Sequence, residues 1–187
     1  LTMDDAVKYV DKINSGAQKL EKEREGLETE LKAKQKLLDQ ILPYRVLKYS
    51  ISSILEFKFI KYRFGKLQRE YYEKFKKTIY LNTPVIFCEC YSDKEYVWGV
   101  YFTAKELADK IDTIFSALHF ERIILPDEYE GTTEEACASL ERQIAELEKS
   151  MAALNHEKEN YFSSYEPVLL VIREKLNRFA INFNVRK

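Results

Sequence analysis

The sequence predicts an α+β protein: a ferredoxin-like split β-α-β lobe inserted at the tip of a long antiparallel two-helix coiled coil. Three observations predict it. A seven-residue apolar repeat fills the first forty residues, the same repeat returns near the other end, and the stretch between them breaks into short β-branched and aromatic runs separated by turn residues.

The first arm covers residues 1–42. Ala6, Val10, Ile13, Ala17, Leu20, Arg24, Leu27, Leu31, Lys34, Leu38 and Ile41 follow alternating four and three spacing. Because an α-helix turns every 3.6 residues, that spacing keeps every one of them on a single narrow stripe, the mark of a coiled-coil seam. Pro43 ends the helix, since the residue before a proline avoids the α region. Residues 43–53 form a connector.

The lobe spans residues 54–126. Leu55 to Phe64 is rich in β-branched and aromatic residues and reads as a first strand, with Gly65 as its breaker. Gln68 to Tyr80 reads as a helix with Tyr71, Tyr72, Phe75 and Ile79 at helical spacing. Pro84 to Tyr91 and Glu95 to Phe102 read as a hairpin joined by Ser92, Asp93 and Lys94. Thr103 and Glu106 fit a capping box for the next helix, whose buried face is Leu107, Ile111, Ile114, Phe115 and Leu118. Phe120 to Leu125 closes the unit as a last strand. The order is β-α-β-β-α-β.

The second arm covers residues 127–187, with its helix starting after Gly131. Cys137, Leu140, Ile144, Leu147, Met151, Leu154, Lys158, Tyr161 and Tyr165 repeat the seam spacing. At 1.5 Å per residue the two helices are roughly 55 and 50 Å long, so pairing within one chain buries both stripes. A parallel homodimer through the first helix would leave the second stripe uncovered. Pro167 is expected to kink the second arm or to start a new helix carrying Val168, Ile172 and Leu176.

Composition narrows the function. Of 187 residues, 45% are hydrophobic and 33% charged, with five Gly and four Pro, which describes a folded chain rich in helix and poor in loops. The densest apolar run, Pro167 to Ile172, is far too short to span a bilayer. The chain opens on Leu1 with a helical pattern and no signal-peptide regions, and reads as an excised fragment. The net charge of −1 hides a gradient. Residues 1–42 hold 8 basic and 9 acidic side chains, residues 43–126 hold 14 and 10, and residues 127–187 hold 8 and 12.

Little in the sequence points to catalysis, so the expectation is no enzyme, no cofactor and no metal. His119 and His156 are far apart, without the i, i+4 partner of a metal-binding helix. Gly65 and Gly99 stand alone, outside any phosphate loop. Cys88, Cys90 and Cys137 lack CxxC spacing and read as buried structural thiols in a reducing compartment. Lys94 to Phe102, KEYVWGVYF, with Phe57 and Phe59, loosely matches the aromatic strands of an RNA-recognition module. Yet Glu95 would repel phosphate, and Trp98 fits a core position, so nucleic acid is not the expected partner.

The clearest surface signal is basic. Lys58, Lys61, Arg63, Lys66, Arg69, Lys74, Lys76 and Lys77 fall within twenty residues that contain only two acids, Glu70 and Glu73. Long-range attraction at such a cluster steers and orients an acidic protein partner, and Lys66, Arg69, Lys74, Lys76 and Lys77 are the expected contacts. The acidic loop Asp127 to Glu130 is a second candidate.

The stretch FKFIKYRFGKLQREYYEKFKKTIY, residues 57–80, resembles the cytosolic region of subunit I of bacterial V-type ATPases, called subunit a in other branches. There, a strand ending in an arginine and a glycine leads into a helix, as Arg63-Phe64-Gly65 leads to Arg69-Glu70-Tyr71 here. VIFCECYSDKEYVWGVYF, FERIILPDEYEGT and NRFAINFNVRK extend the likeness over nearly the whole chain. Gln68 departs from it, standing where relatives often open the helix with proline. The resemblance implies a distal lobe with its two connecting helices, a monomeric stator fragment that grips peripheral-stalk subunits E and G. It also implies a place at the cytoplasmic face of the cell membrane, in a rotary ATPase whose ion path lies in a membrane half missing from this chain. The alternatives are a nucleic-acid-binding lobe on a spacer and a homodimeric coiled-coil adaptor.

Overall fold

The computed structural model describes residues 3–48, 50, 53–54, 56–125 and 131–184. Its principal elements are α1 (Met3–Ile41), β1 (Ile60–Gln68), α2 (Arg69–Lys74), β2 (Val85–Ser92), β3 (Tyr96–Ala104), α3 (Ala108–Ala117), β4 (Glu121–Ile123) and α4 (Thr133–Asn184). The chain divides into two compact units: Leu1–Ala33 with Ile144–Lys187, and Lys34–Gln143. Both long helices contribute to each unit.

In the first unit α1 and α4 run antiparallel. Tyr161 on α4 donates its hydroxyl to the carbonyl of Ile13 at 3.1 Å, and Lys158 pairs with Glu21 at 2.5 Å. Numbers rise along one helix as they fall along the other. Ile13, Leu20, Leu154 and Ile172 are the buried apolar side chains, and among the seam positions of the two helices here only Val10 is exposed. Gly16 lies against Tyr161, whose ring and hydroxyl occupy the space a Cβ would need. Around Glu21, Arg24 bonds Glu21 at 2.7 Å and Glu28 at 3.1 Å, and Lys32 bonds Glu28 at 2.7 Å. Residue 167 does not begin a new helix. The helix is continuous from Thr133 to Asn184 with Pro167 inside it, at the expense of the bond its missing N–H would have made to the carbonyl of Ser163.

In the second unit a four-stranded antiparallel sheet has the order β2-β3-β1-β4. One face packs on α2, α3 and the turn after α2: Leu67, Val85, Val97 and Tyr101 meet Tyr72, Phe75, Ile111, Phe115 and Leu118. Aromatic stacking fixes this layer, with the Tyr101 and Phe115 rings 3.9 Å apart and 13° from parallel. The other face is covered too. Phe64 and Val100 lie under Ile41, Tyr44, Cys137 and Leu140, which flank the lobe in sequence, together with Ile54 and Leu125 near its two ends. Tyr44 binds this layer together. Its hydroxyl donates to the carbonyl of Gly65 at 2.9 Å, its ring meets Phe64 edge-on, and its own carbonyl accepts the hydroxyl of fully buried Thr133 at 2.7 Å.

Several local expectations are corrected. The first strand is Ile60–Gln68, not Leu55 to Phe64, and Gly65 lies inside it. Gly65 faces Gly99 across β1 and β3, and a Cβ on either would overlap a ring, Phe120 at Gly65 and Phe87 at Gly99. The helix expected over Gln68 to Tyr80 gives way after Lys74 to a wider π turn, Phe75–Ile79, and a 3-10 turn, Tyr80–Asn82. Thr103 does not cap a helix: it is buried in β3 and bonds the carbonyl of Pro84 at 3.2 Å. The capping box lies at α4, where the Glu135 N–H bonds the Thr132 hydroxyl and the Thr132 N–H bonds the Glu135 carboxylate. The last strand shrinks to Glu121–Ile123. Pro43 acts as expected, ending α1 at Ile41 in a 3-10 turn.

Candidate docking surface

The eight basic residues do not form one patch, because alternation along β1 sends neighbours to opposite faces. Arg63 lies on the helix-covered face, where its guanidinium meets Asp112 of α3 at 3.0 Å and donates to the carbonyl of Tyr62 at 2.9 Å. Asp112 also accepts the Tyr101 hydroxyl at 2.6 Å. Burial, and then that carboxylate, push the Tyr101 hydroxyl above its ordinary pKa. Lys66 lies on the other face, 3.4 Å from Glu121, its cross-strand neighbour, with its ammonium 4.3 Å from the Tyr96 ring centroid. Arg69 donates to the backbone carbonyl of Asp93 and so fastens the β2–β3 loop to the start of α2. Asp93 in turn accepts the N–H groups of Tyr96 and Glu95, and these bonds hold its carboxyl below the usual range.

The rest point outward. Lys76 sits 5.3 Å from the Tyr72 ring and is exposed. Lys58, Lys61, Lys74 and Lys77 are exposed, with no ion pair or side-chain hydrogen bond among the described residues. Of the five expected contacts, then, Lys66 and Arg69 are held within the lobe. Lys74, Lys76 and Lys77 stand together on α2 and the π turn. The loop Asp127 to Glu130 lies outside the described residues.

A feature that the sequence reading missed sits where β1 begins, β3 ends and β2 begins. Phe59, Ile60, Pro84, Ile86, Phe102 and Ala104 line an open groove of about 490 Å³. Phe59 is 81% and Ile86 62% exposed. The signal lies in Lys58-Phe59-Ile60-Lys61, two apolar residues framed by lysines, which the expected strand Leu55 to Phe64 hides. Phe57 and Phe59 in fact precede β1.

The remaining singled-out residues are structural in their surroundings. Trp98 is half-buried between Tyr91 and Tyr96, beside a sheet face already covered by Tyr44 and Leu140. Cys88 and Cys90 pack on that same cluster, with a bulge between Glu89 and Tyr91. Burial pushes the Cys90 thiol up to about 12 and raises that of Cys137 as well. His119 adopts φ 57° just after α3, where the Phe120 N–H reaches back to the Phe115 carbonyl, a left-handed helix end. His156 is exposed on α4. Among the described residues no group of three His, Cys, Asp or Glu could hold a metal ion, and no helix is long and apolar enough to cross a membrane.

No family model and no curated protein matches this sequence. Among solved structures, the chain is similar to the crystal structure of the cytoplasmic N-terminal domain of subunit I, homolog of subunit a, of V-ATPase. The TM-score is 0.60 at 12% identity, over 96% of this chain and 61% of that one. An α+β fold with long helices and a four-stranded antiparallel sheet is therefore one that this chain shares, over 96% of its length, with part of that domain.

Proposed function

We propose that this chain is a non-catalytic stator segment of a rotary V-type ATPase, linking the peripheral stalk to the membrane-embedded, ion-translocating half of the same subunit. The observation that carries the proposal is the fold match over 96% of the chain to the subunit I domain, which agrees with the resemblance in residues 57–80. In this reading residues 54–126 are a ferredoxin-like distal lobe, residues 1–42 and 127–187 are the two strands of an antiparallel coiled coil, and residues 43–53 connect them. The segment works at the cytoplasmic face of the cell membrane without a cofactor. Its partners are peripheral-stalk subunits E and G, met by Lys74, Lys76 and Lys77, with Lys66 and Arg69 shaping the lobe beside them. Shielded seams and the Glu21–Lys158 pair suit a part that transmits load and performs no chemistry.

Calorimetric titration of the purified chain against a reconstituted E–G pair at two salt concentrations tests the proposal. Saturable binding that salt weakens is expected, and reversing Lys74, Lys76 and Lys77 to Glu should remove most of the salt dependence. A folded, monomeric chain that does not bind E–G would overturn the assignment.

A further inference from the structure

We propose that β2 is a docking edge, which accepts an extended partner segment of alternating apolar and acidic residues and seats an apolar side chain in the groove between Phe59 and Ile86. The inference rests on the stator reading and names a second contact for the same stalk partner, separate from the lysines of α2.

Three independent observations converge. The first is the edge itself. Among the described residues the sheet order leaves β2 and β4 outermost, and an outer strand carries a row of backbone N–H and C=O groups with no ladder partner there. Folded proteins blunt such edges. Here β4 is only three residues long, whereas β2 has eight. The bulge in β2 falls between Glu89 and Tyr91, so pairing with β3 is regular from Val85 to Glu89 and that half offers an undistorted template.

The second is the groove, which opens at this same half. Tyr62, Phe102 and Ile86 are aligned across β1, β3 and β2, and Phe59 stands beside the start of that row. An added strand places every second side chain on this face, so one apolar residue per two would lie beside Ile86 and reach into the groove toward Phe59. A helix laid across the groove would cover the apolar side chains but could not supply the backbone partners that the strand edge lacks.

The third is charge. Lys58 precedes Phe59, and Lys105 follows Ala104 with its N–H bonded to the Phe59 carbonyl at 2.9 Å, so two lysines adjoin the residues that line the groove, while Lys61 alternates onto the opposite face. Both are exposed and neither is in an ion pair among the described residues. Carboxylates flanking the partner's apolar residues would complement them. A second copy of this chain, bringing its own two lysines to the same place, would be repelled.

The probe is the reconstituted E–G pair, titrated into the intact chain and into two variants. Phe59→Ser with Ile86→Thr removes the apolar anchor at exposed positions, and Lys58→Glu with Lys105→Glu inverts the charge beside it. Each is expected to bind about tenfold or more weakly, with unchanged thermal midpoints. Hydrogen exchange should show slowed amides in Val85 to Glu89 on complex formation. If wild-type protein does not bind, the stator reading fails and this inference with it. Wild-type binding with both variants unaffected overturns the docking edge alone. Weakened variants without protection of β2 overturn the strand pairing, and dimers of the free chain through β2 overturn the choice of partner.

Discussion

Tyr161 fills the space that Gly16 leaves empty, with its ring against the glycine and its hydroxyl bonded to the carbonyl of Ile13 one turn earlier. Alanine is a better helix former than glycine by about 1 kcal/mol, so propensity and packing give opposite signs for Gly16→Ala. Packing should win, with a loss of about 1–3 kcal/mol as Tyr161 is pushed off its carbonyl. Gly26, with nothing within 4 Å of its would-be Cβ, is the control: Gly26→Ala should stabilise by up to about 1 kcal/mol. Thermal unfolding of the two variants checks both signs.

Glu21 should make the pairing of the two helices sensitive to acid. Hydrogen bonds from Arg24 and then Lys158 hold its carboxyl at about 2, against an ordinary 4.5. A depressed carboxyl contributes its stabilisation above the unfolded value and loses it as the pH falls from about 4.5 toward 2. The thermal midpoints of wild type and Glu21→Gln should therefore differ at pH 7 and converge near pH 2. High salt should shrink the difference, because the pair is partly open to solvent.

Thr133 donates one hydroxyl to the carbonyls of Tyr44 and Leu47 from a fully buried position. Thr133→Val keeps the shape and strands those acceptors, at a cost of about 1–3 kcal/mol in denaturant unfolding. Thr133→Ser should recover most of the loss.

The thiol of Cys90, raised to about 12 by burial, should resist alkylation at pH 8.5 in the folded protein and react promptly once denaturant is added. Mass spectrometry of timed, quenched samples reads this directly.

The long-period features were legible in the sequence because their cause is local to each helix. Nearly every seam residue from Ala6 to Ile41 and from Cys137 to Tyr165 is shielded. Pro43 ended its helix through its own ring. What escaped was set at a distance. Gly65 looks like a breaker until Phe120, fifty-five residues on, is seen lying over it. The T-x-x-E pattern occurs at Thr103 and again at Thr132, and nothing within four residues tells which is a cap; the pairing of Thr103 with Val85 in the sheet decides. The basic cluster was visible as composition, but its division was not, because Arg63 and Lys66 part company only once the strand's register is known.

The second face of the sheet is closed by residues that come before and after the lobe, Ile41 and Tyr44 on one side and Cys137 and Leu140 on the other. For protein engineering this sets the size of a transferable cassette. A graft cut at residues 54–126 would carry Phe64 and Val100 into its new host with only Ile54 and Leu125 left of their cover. A graft cut at residues 34–143 brings its own lid.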